Sequence, residues 1–291
     1  MPTNPSSGPN VRHVLAALRV QMKTLQAHEA GTRDGKDPDE LRQMRAAIRR
    51  LRAVLRAARS LFDRKWAREL RAELDWLGSA LGRVRDLDVS RAYLAGELAA
   101  LGPSGRRAAP RLLRRIDADR VRARDALVAV LDSPRYGKLL ERLGDALAHP
   151  RLSATDASLT DVAASEFRKL RRAVKALPGH PDADDLHEIR IELKRARYAA
   201  ELAAHTAGRS GARFTEQAAL LQDILGEHQD AVVIEEYLHD NLDDGEAAHA
   251  LGRELLKRQR KRRKHARAAF FDAWPKLERR GRKAWSTASA S

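Results

Sequence analysis

Apolar residues recur at three- and four-residue spacing along almost every long segment of the chain, and nowhere does apolar–polar alternation persist long enough to build a sheet. The pattern predicts an all-α protein. Interruptions fall at Gly31 to Pro38, Gly102 to Gly105, Ser133-Pro134, the polar stretch His149 to Ala157, Pro178 to Pro181 and Gly208 to Gly211, leaving roughly ten or more helices. Asp37-Pro38 is a start signal. Asp accepts hydrogen bonds from first-turn amides, Pro has no amide to leave unpaired, and Asp39 and Glu40 suit the positive end of the helix dipole. The second helix is expected to begin there.

The pattern also repeats. L-R-Q-M-R from Leu41, with the run on to Arg52, lines up with L-H-E-I-R from Leu186 and the run to Arg197 at an offset of 145. Met44 then matches Ile189, Arg45 matches Arg190, Ile48 matches Leu193, Arg49 matches Lys194, Arg50 matches Arg195 and Arg52 matches Arg197. Further along, L-G-R-V-R-D-L-D-V from Leu81 lines up with L-G-E-H-Q-D-A-V-V from Leu225 at an offset of 144. Two motifs in the same order, with offsets one residue apart, predict an internal duplication. The expected halves are 11–148 and 158–285, both parts of one domain, with flexible tails at 1–10 and 286–291.

A helix turns about 100° per residue, so positions i, i+3, i+7, i+10 and i+14 share a face. Arg42, Arg45, Arg49, Arg52, Arg56 and Arg59 form such a stripe, beside an apolar one of Leu41, Met44, Ile48, Leu51 and Leu55. His187, Arg190, Lys194 and Arg197 repeat it next to Leu186, Ile189 and Leu193. The bland alternative is a solvated face. Such faces mix signs, because an i,i+4 acid–base pair contributes about 0.3–0.5 kcal/mol and like charges cost a similar amount. A row of cations therefore needs an anion, either carboxylates of a neighbouring helix or a ligand, and its repetition favours the ligand.

Further basic rows pair Arg19 with Lys23 and, at the matching place, Arg171 with Lys175. Near the C-terminus Arg253, Lys257, Arg260, Lys264 and Arg267 make another, inside K-R-Q-R-K-R-R-K from Lys257. That run alone would suit nucleic acid or a membrane surface. If the halves pack with their motif helices facing, all the rows line one channel whose low-dielectric walls concentrate the field.

Composition sharpens the choice of anion. Fifty-six Lys and Arg against 40 Asp and Glu leave a formal charge of +16, which calls for an acidic partner. Guanidinium forks match phosphate oxygens. Aromatics make up only 4% of the chain and do not interleave with the arginines, whereas stacked bases are worth about 1–3 kcal/mol each on aromatic platforms. The stripes suit bare phosphate. With no cysteine, disulfides, Cys-ligated zinc, iron–sulfur clusters and thiol nucleophiles are excluded. The first ten residues do not read as a secretory signal and no apolar run is long enough to span a bilayer, so a soluble cytoplasmic protein is expected.

The motifs L-R-Q-M-R-A-A-I-R-R-L-R, L-G-R-V-R-D-L-D-V, L-H-E-I-R-I-E-L-K-R-A-R-Y-A-A-E and L-G-E-H-Q-D closely resemble those of the CHAD family, the conserved histidine α-helical domain, over about 11–275. The resemblance implies two helical bundles related by a pseudo-twofold axis around a basic channel that binds inorganic polyphosphate, and a place on polyphosphate granules, where granule-associated proteins would be partners. His187 matches the histidine of the motif; Arg190, Lys194, Arg195 and Arg197, and Arg45, Arg49, Arg50 and Arg52, match its basic positions. In the first copy Arg42 stands where the family would place histidine. Arginine stays charged, so binding on that side is expected to be less sensitive to pH. Some relatives carry a triphosphate hydrolase with Glu-x-Glu-x-Lys, which this chain lacks.

Asp86, Asp88 and Asp230 are expected near helix starts, capping amides or pairing with arginine, with a magnesium site against phosphate as the alternative. His228 reads as a buried helix-end hydrogen-bonder, and Tyr198 as packing or, alternatively, a phosphate contact. No phosphate loop, H-E-x-x-H or nucleophile elbow occurs. The expectation is a non-enzymatic polyphosphate binder without a cofactor. Its site would comprise Arg45, Arg49, Arg50, Arg52, Arg56, His187, Arg190, Lys194, Arg195 and Arg197, extended by Arg19, Lys23, Arg171, Lys175, Lys257, Arg260 and Lys264. The alternatives are a nucleic-acid or ribosome-associated protein using the Lys257 run, and a metal-dependent polyphosphate-processing enzyme using the three aspartates.

Overall fold

A computed structural model describes residues 8–153, 158–241 and 246–285. Among them the chain forms α1 (Pro9–Ala27), α2 (Glu29–Asp34), α3 (Pro38–Ala57), α4 (Arg64–Ala100), α5 (Gly102–Leu131), α6 (Pro134–Ala148), α7 (Leu159–Lys175), α8 (Ala183–Leu202), α9 (Ala204–Asn241) and α10 (Glu246–Ala284). The fold is all-α. An isolated bridge between Phe62 and Leu152 is the nearest approach to a sheet among these residues.

The motif helices α3 and α8 are each 20 residues long and start and stop 145 positions apart. Each begins the same way. Asp37 accepts from the Asp39 amide at 2.8 Å, and Asp182 accepts from the Asp185 amide at 2.9 Å while Asp185 returns the bond to the Asp182 amide at 3.0 Å. Losing such a cap costs about 1 kcal/mol. The apolar stripes then bury: Leu41, Met44, Ile48, Leu51 and Leu55 on α3, and Leu186, Ile189 and Leu193 on α8, are at most 2% exposed. They belong to one continuous core. Truncating any of the leucines to Ala would cost about 2–5 kcal/mol.

Helices α3 and α8 pack on each other at the centre. Around α3 lie α1 and α4, and around α8 lie α7 and α9, with α5 against α4 and α10 against α9. At 37 residues α4 runs roughly 55 Å, and α9 beyond its kink at Gly208 runs roughly 50 Å, both far past the short motif helices. Beyond them a satellite core gathers Leu94, Leu98, Leu113, Ile116, Ile234, Leu238 and Leu255 from α4, α5, α9 and α10. The stretch after α6 is tied down by the Asp63 amide donating to Arg151 O at 2.9 Å and the Ser153 amide donating to Leu61 O at 3.0 Å.

Two details differ from the sequence reading, and one break falls where it was expected. The helix capped by Asp37 is the third, because a single turn-and-a-half, α2, forms first and ends at Gly35 in the left-handed conformation (φ 72°). The expected break at Gly208 to Gly211 is present as a kink at Gly208 that divides α9 into two helical pieces. Only Gly208 leaves helical geometry there, at φ 56°, which glycine adopts at no steric cost. At the N-terminus α1 starts at Pro9, inside the expected tail; residues 1–7, 154–157 and 286–291 lie outside the described residues.

Candidate functional site

Where α3 crosses α8, the space beside their shared apolar seam is lined by guanidiniums. A cavity of about 290 Å³ is walled by Arg45, Arg49, Arg52 and Arg56 of α3, Arg71 of α4, and Lys194 and Arg195 of α8, with Ala53, Ala57, Ile191, Tyr198 and Ala199 between them. One acid joins this lining, Glu166 of α7, and Lys169 already holds it at 2.5 Å. A second cavity of about 480 Å³ shares Arg56, Ala57 and Glu166 and continues past Arg59 and Arg168 to Ser158 and Ser165. Arg49 and Lys194, matched by the repeat, therefore face the same space.

Carboxylates neutralise Arg45, Arg52 and Arg195 of this lining, and Arg42 and Arg197 outside it. Arg42 binds Asp39 at 2.6 Å, Arg45 reaches Asp86 at 3.3 Å, and Arg52 pairs with Asp75. Arg195 pairs with Glu192, while Arg197 lies 3.3 Å from Glu201 and its guanidinium sits 5.1 Å from the centre of the Tyr198 ring. The bland explanation thus holds for those residues. It fails at the centre. Arg49, Arg56, Arg190 and Lys194 form no ion pair with a described residue, and the buried Nε atoms of Arg49 and Arg190 and the Tyr198 hydroxyl have no hydrogen-bond partner among them. A buried unsatisfied donor costs about 1–3 kcal/mol, more when charged.

The electrostatics follow. Burial and then the Arg190, Arg49, Arg45 and Arg197 charges push the Lys194 ammonium down to about 7. Arg45, Arg56 and Arg190 are lowered as well, chiefly by burial, with Asp86 and Asp230 opposing the change at Arg45 and Arg190. An incoming anion would offset the mutual repulsion of these cations.

The remaining expected residues sit elsewhere. Arg50 is exposed, one position off the lining face. His187 lies 2.7 Å from Gln229 Oε1, a hydrogen bond that ties α8 to α9. Arg19 donates to the Leu147 carbonyl at 3.2 Å, satisfying the end of α6, and Lys23 is exposed. Arg171 lies 3.2 Å from Glu278 of α10, and Lys175 is exposed. Lys257, Arg260 and Lys264 form a solvent-facing row. The inward side of α10 is one the sequence reading passed over. Arg258 reaches Glu97, Arg263 binds Glu235 at 2.6 Å, and Arg262 lies 4.6 Å from the Tyr93 ring centre. Arg262 also acts on Asp230, as Arg190 does. The buried positions Leu255, Gln259 and Ala266 carried the signal that orients this helix. Arg71 was missed because no motif contains it.

The aspartates are not near helix starts. Asp86 and Asp88 lie within α4 and Asp230 within α9, because the glycines before them are helical. The pairing part of the expectation describes them better, with Asp86 on Arg45 and Asp88 2.8 Å from Arg120 Nε. His228, likewise mid-helix, is 4% exposed, and burial followed by Arg263 and Arg267 lowers it to about 4.

A family model described as CHAD domain matches residues 16–239. The chain belongs to the CHAD family. Two uncharacterized proteins of Mycobacterium tuberculosis, MT2285 of strain CDC 1551 and Rv2226 of strain H37Rv, are each 34% identical to it over 213 residues, 69% of this chain. This CHAD chain spans 40% of the length of those relatives. Among solved structures, PptA from Streptomyces chartreusis superposes with a TM-score of 0.78 at 23% identity, covering 91% of this chain and 98% of its own, and shares the fold. The CHAD domain from the plant Ricinus communis matches with a TM-score of 0.68 at 27% identity, covering 90% of each chain. No helix among the described residues is long and apolar enough to cross a membrane.

Proposed function

We propose that this CHAD chain binds inorganic polyphosphate without altering it, seats the polyanion between α3 and α8, and resides on cytoplasmic polyphosphate granules. The observation that carries this reading is that Arg49, Arg56 and Lys194 line one cavity between α3 and α8, with the Arg190 charge acting on Lys194, and that none of the four forms an ion pair with a described residue. A fold does not gather half-buried, unpaired cations for stability, since each costs free energy that an anion offsets. The family itself is associated with polyphosphate. A linear chain of phosphates, rather than a single ion, suits a lining that continues from one cavity into the next past Arg56 and Arg59. Each engaged cation releases condensed counterions, as on DNA, so affinity falls steeply with salt.

The test is binding of long polyphosphate to the full chain across a salt series, with RNA as competitor. Arg49→Glu combined with Lys194→Glu is expected to abolish binding, and undiminished affinity in a folded double variant refutes the assignment. The nucleic-acid alternative keeps one supporting observation, the exposed row of Lys257, Arg260 and Lys264. It predicts that RNA competes at physiological salt and that neutralising this row alone removes binding. The metal-dependent alternative loses two of its acids to arginine partners, Asp86 to Arg45 and Asp88 to Arg120. Release of orthophosphate with magnesium would restore it.

A further inference from the structure

We propose that Lys194 is a self-acylation site, at which the cavity seats the phosphate end of a small acyl phosphate on its arginines and presents the acyl carbon to the lysine amine. The proposal rests on the cavity as an anion holder, as the polyphosphate reading does, but not on the length of the anion. Lys194 is the one lysine among the residues lining the cavity. Its cationic neighbours there are arginines, which do not deprotonate in proteins, so the cavity offers a single amine among fixed positive charges. Arg45 and Arg49 approach from α3 and Arg190 from its own helix, and Arg71 lines the wall from α4. Ile191, Ala53 and Ala199 give a short acyl group an apolar surface, and 290 Å³ accommodates so small a molecule.

The amine is also in the reactive form. Before an anion enters, with its ammonium pushed down to about 7, roughly half of Lys194 is free amine at neutral pH, against fewer than about one in a thousand for an exposed lysine; the seated phosphate draws a proton back, so reaction proceeds from the fraction still free. Desolvation beside other cations is a known route to a nucleophilic lysine. In the reaction the Nζ lone pair attacks the carbonyl carbon and the C–N bond forms. The C–O bond to phosphorus breaks, and phosphate departs with that electron pair. The extra proton on nitrogen passes to phosphate or water. The product amide carries no charge, so acylation would lower the affinity of the cavity for any polyanion.

The test incubates the full chain with acetyl phosphate at neutral pH and reads site occupancy by peptide mass spectrometry. Parallel arms use the uncharged reagent N-hydroxysuccinimidyl acetate and tripolyphosphate as a competitor. Lys194 is expected to acetylate at least about tenfold faster than Lys257 and Lys264, tripolyphosphate to suppress that preference, and the uncharged reagent to show less of it. Arg49→Gln, verified as folded by circular dichroism, should lose the preference for acetyl phosphate. Labelling of Lys194 no faster than the exposed lysines, or labelling indifferent to tripolyphosphate, overturns the proposal. Long-polyphosphate binding is measured on the same preparation. Intact binding without selective labelling sinks this proposal alone, whereas loss of both sinks the shared reading of the cavity.

Discussion

Replacing Lys194 by Met should make the protein more stable and a poorer polyanion binder. Met keeps the lysine stem and drops only its terminal ammonium, and its thioether can lie along Ala53, Ala57 and Ile191 in the cavity wall. The ammonium of Lys194 sits at about 7 in the fold against 10.5 for a free lysine. At about 1.4 kcal/mol for each tenfold change in proton affinity, holding that charge at or below pH 7 costs the folded state up to roughly 4–5 kcal/mol. Water reaching the open cavity reduces this, and a gain of roughly 2–3 kcal/mol for Lys194→Met at pH 7 is the working expectation. The sign with pH is definite. Between about 7 and 10.5 the unfolded chain binds more protons at this site than the folded one, so the parent gains stability as pH rises through that window. The variant lacks this contribution. Urea unfolding of both proteins at pH 7 and pH 9.5 should therefore give midpoints well apart at the lower pH and closer at the higher, with unchanged slopes. A variant no more stable at pH 7, or an advantage that persists undiminished at pH 9.5, would refute the reasoning.

Other predictions follow from the same geometry. Polyphosphate should raise the proton affinity of Lys194, so binding takes up protons above pH 7 and weakens as pH rises further; calorimetry at pH 8 in two buffers of different ionisation enthalpy detects this, and an equal uptake by Lys194→Met would contradict it. His228 is depressed to about 4 from 6.5, so the unfolded chain protonates first as pH falls, and up to roughly 3 kcal/mol of stability disappears between those values. His228→Gln should flatten urea midpoints between pH 6.5 and 4.5, and parallel curves would count against the assignment. A Cβ on Gly281 would lie 2.3 Å from the buried Phe167 ring, whereas one on Gly96 would meet nothing within 4 Å. Gly281→Ala should thus lower thermal stability by roughly 1–2 kcal/mol and Gly96→Ala raise it by roughly 0.5–1 kcal/mol; the reverse order would refute the packing shown at α7 and α10.

How far the sequence could be read depended on whether the relevant physics was local. Leu41 to Leu55 and Leu186 to Leu193 announced themselves as buried faces because helix periodicity is a property of neighbours in the chain, and Asp37 marked a helix start because a cap bonds within its own turn. The cationic stripes were legible in the same way, down to Arg49 and Lys194 as equivalents. Sequence periodicity does not tell which cations meet carboxylates. Arg45 and Arg52 find Asp86 and Asp75 on α4, Arg171 finds Glu278 more than a hundred residues away, and Arg19 spends its charge on the end of α6. Nor does it choose a face in a run as basic as Lys257 to Lys264, where the inward residues proved to be Arg258, Arg262 and Arg263.

The sequence by itself determined an all-α chain, two matching motif helices and an excess of positive charge, all of which are set by composition and short-range spacing. Only the tertiary structure decided that Arg49, Arg56 and Lys194 line one cavity, with the Arg190 charge acting on Lys194, while Arg45, Arg52 and Arg195 are paired with acids. The reason is physical. Charge pairing and desolvation depend on distances through space between helices, and those distances are set by how the apolar seam of α3 and α8 packs.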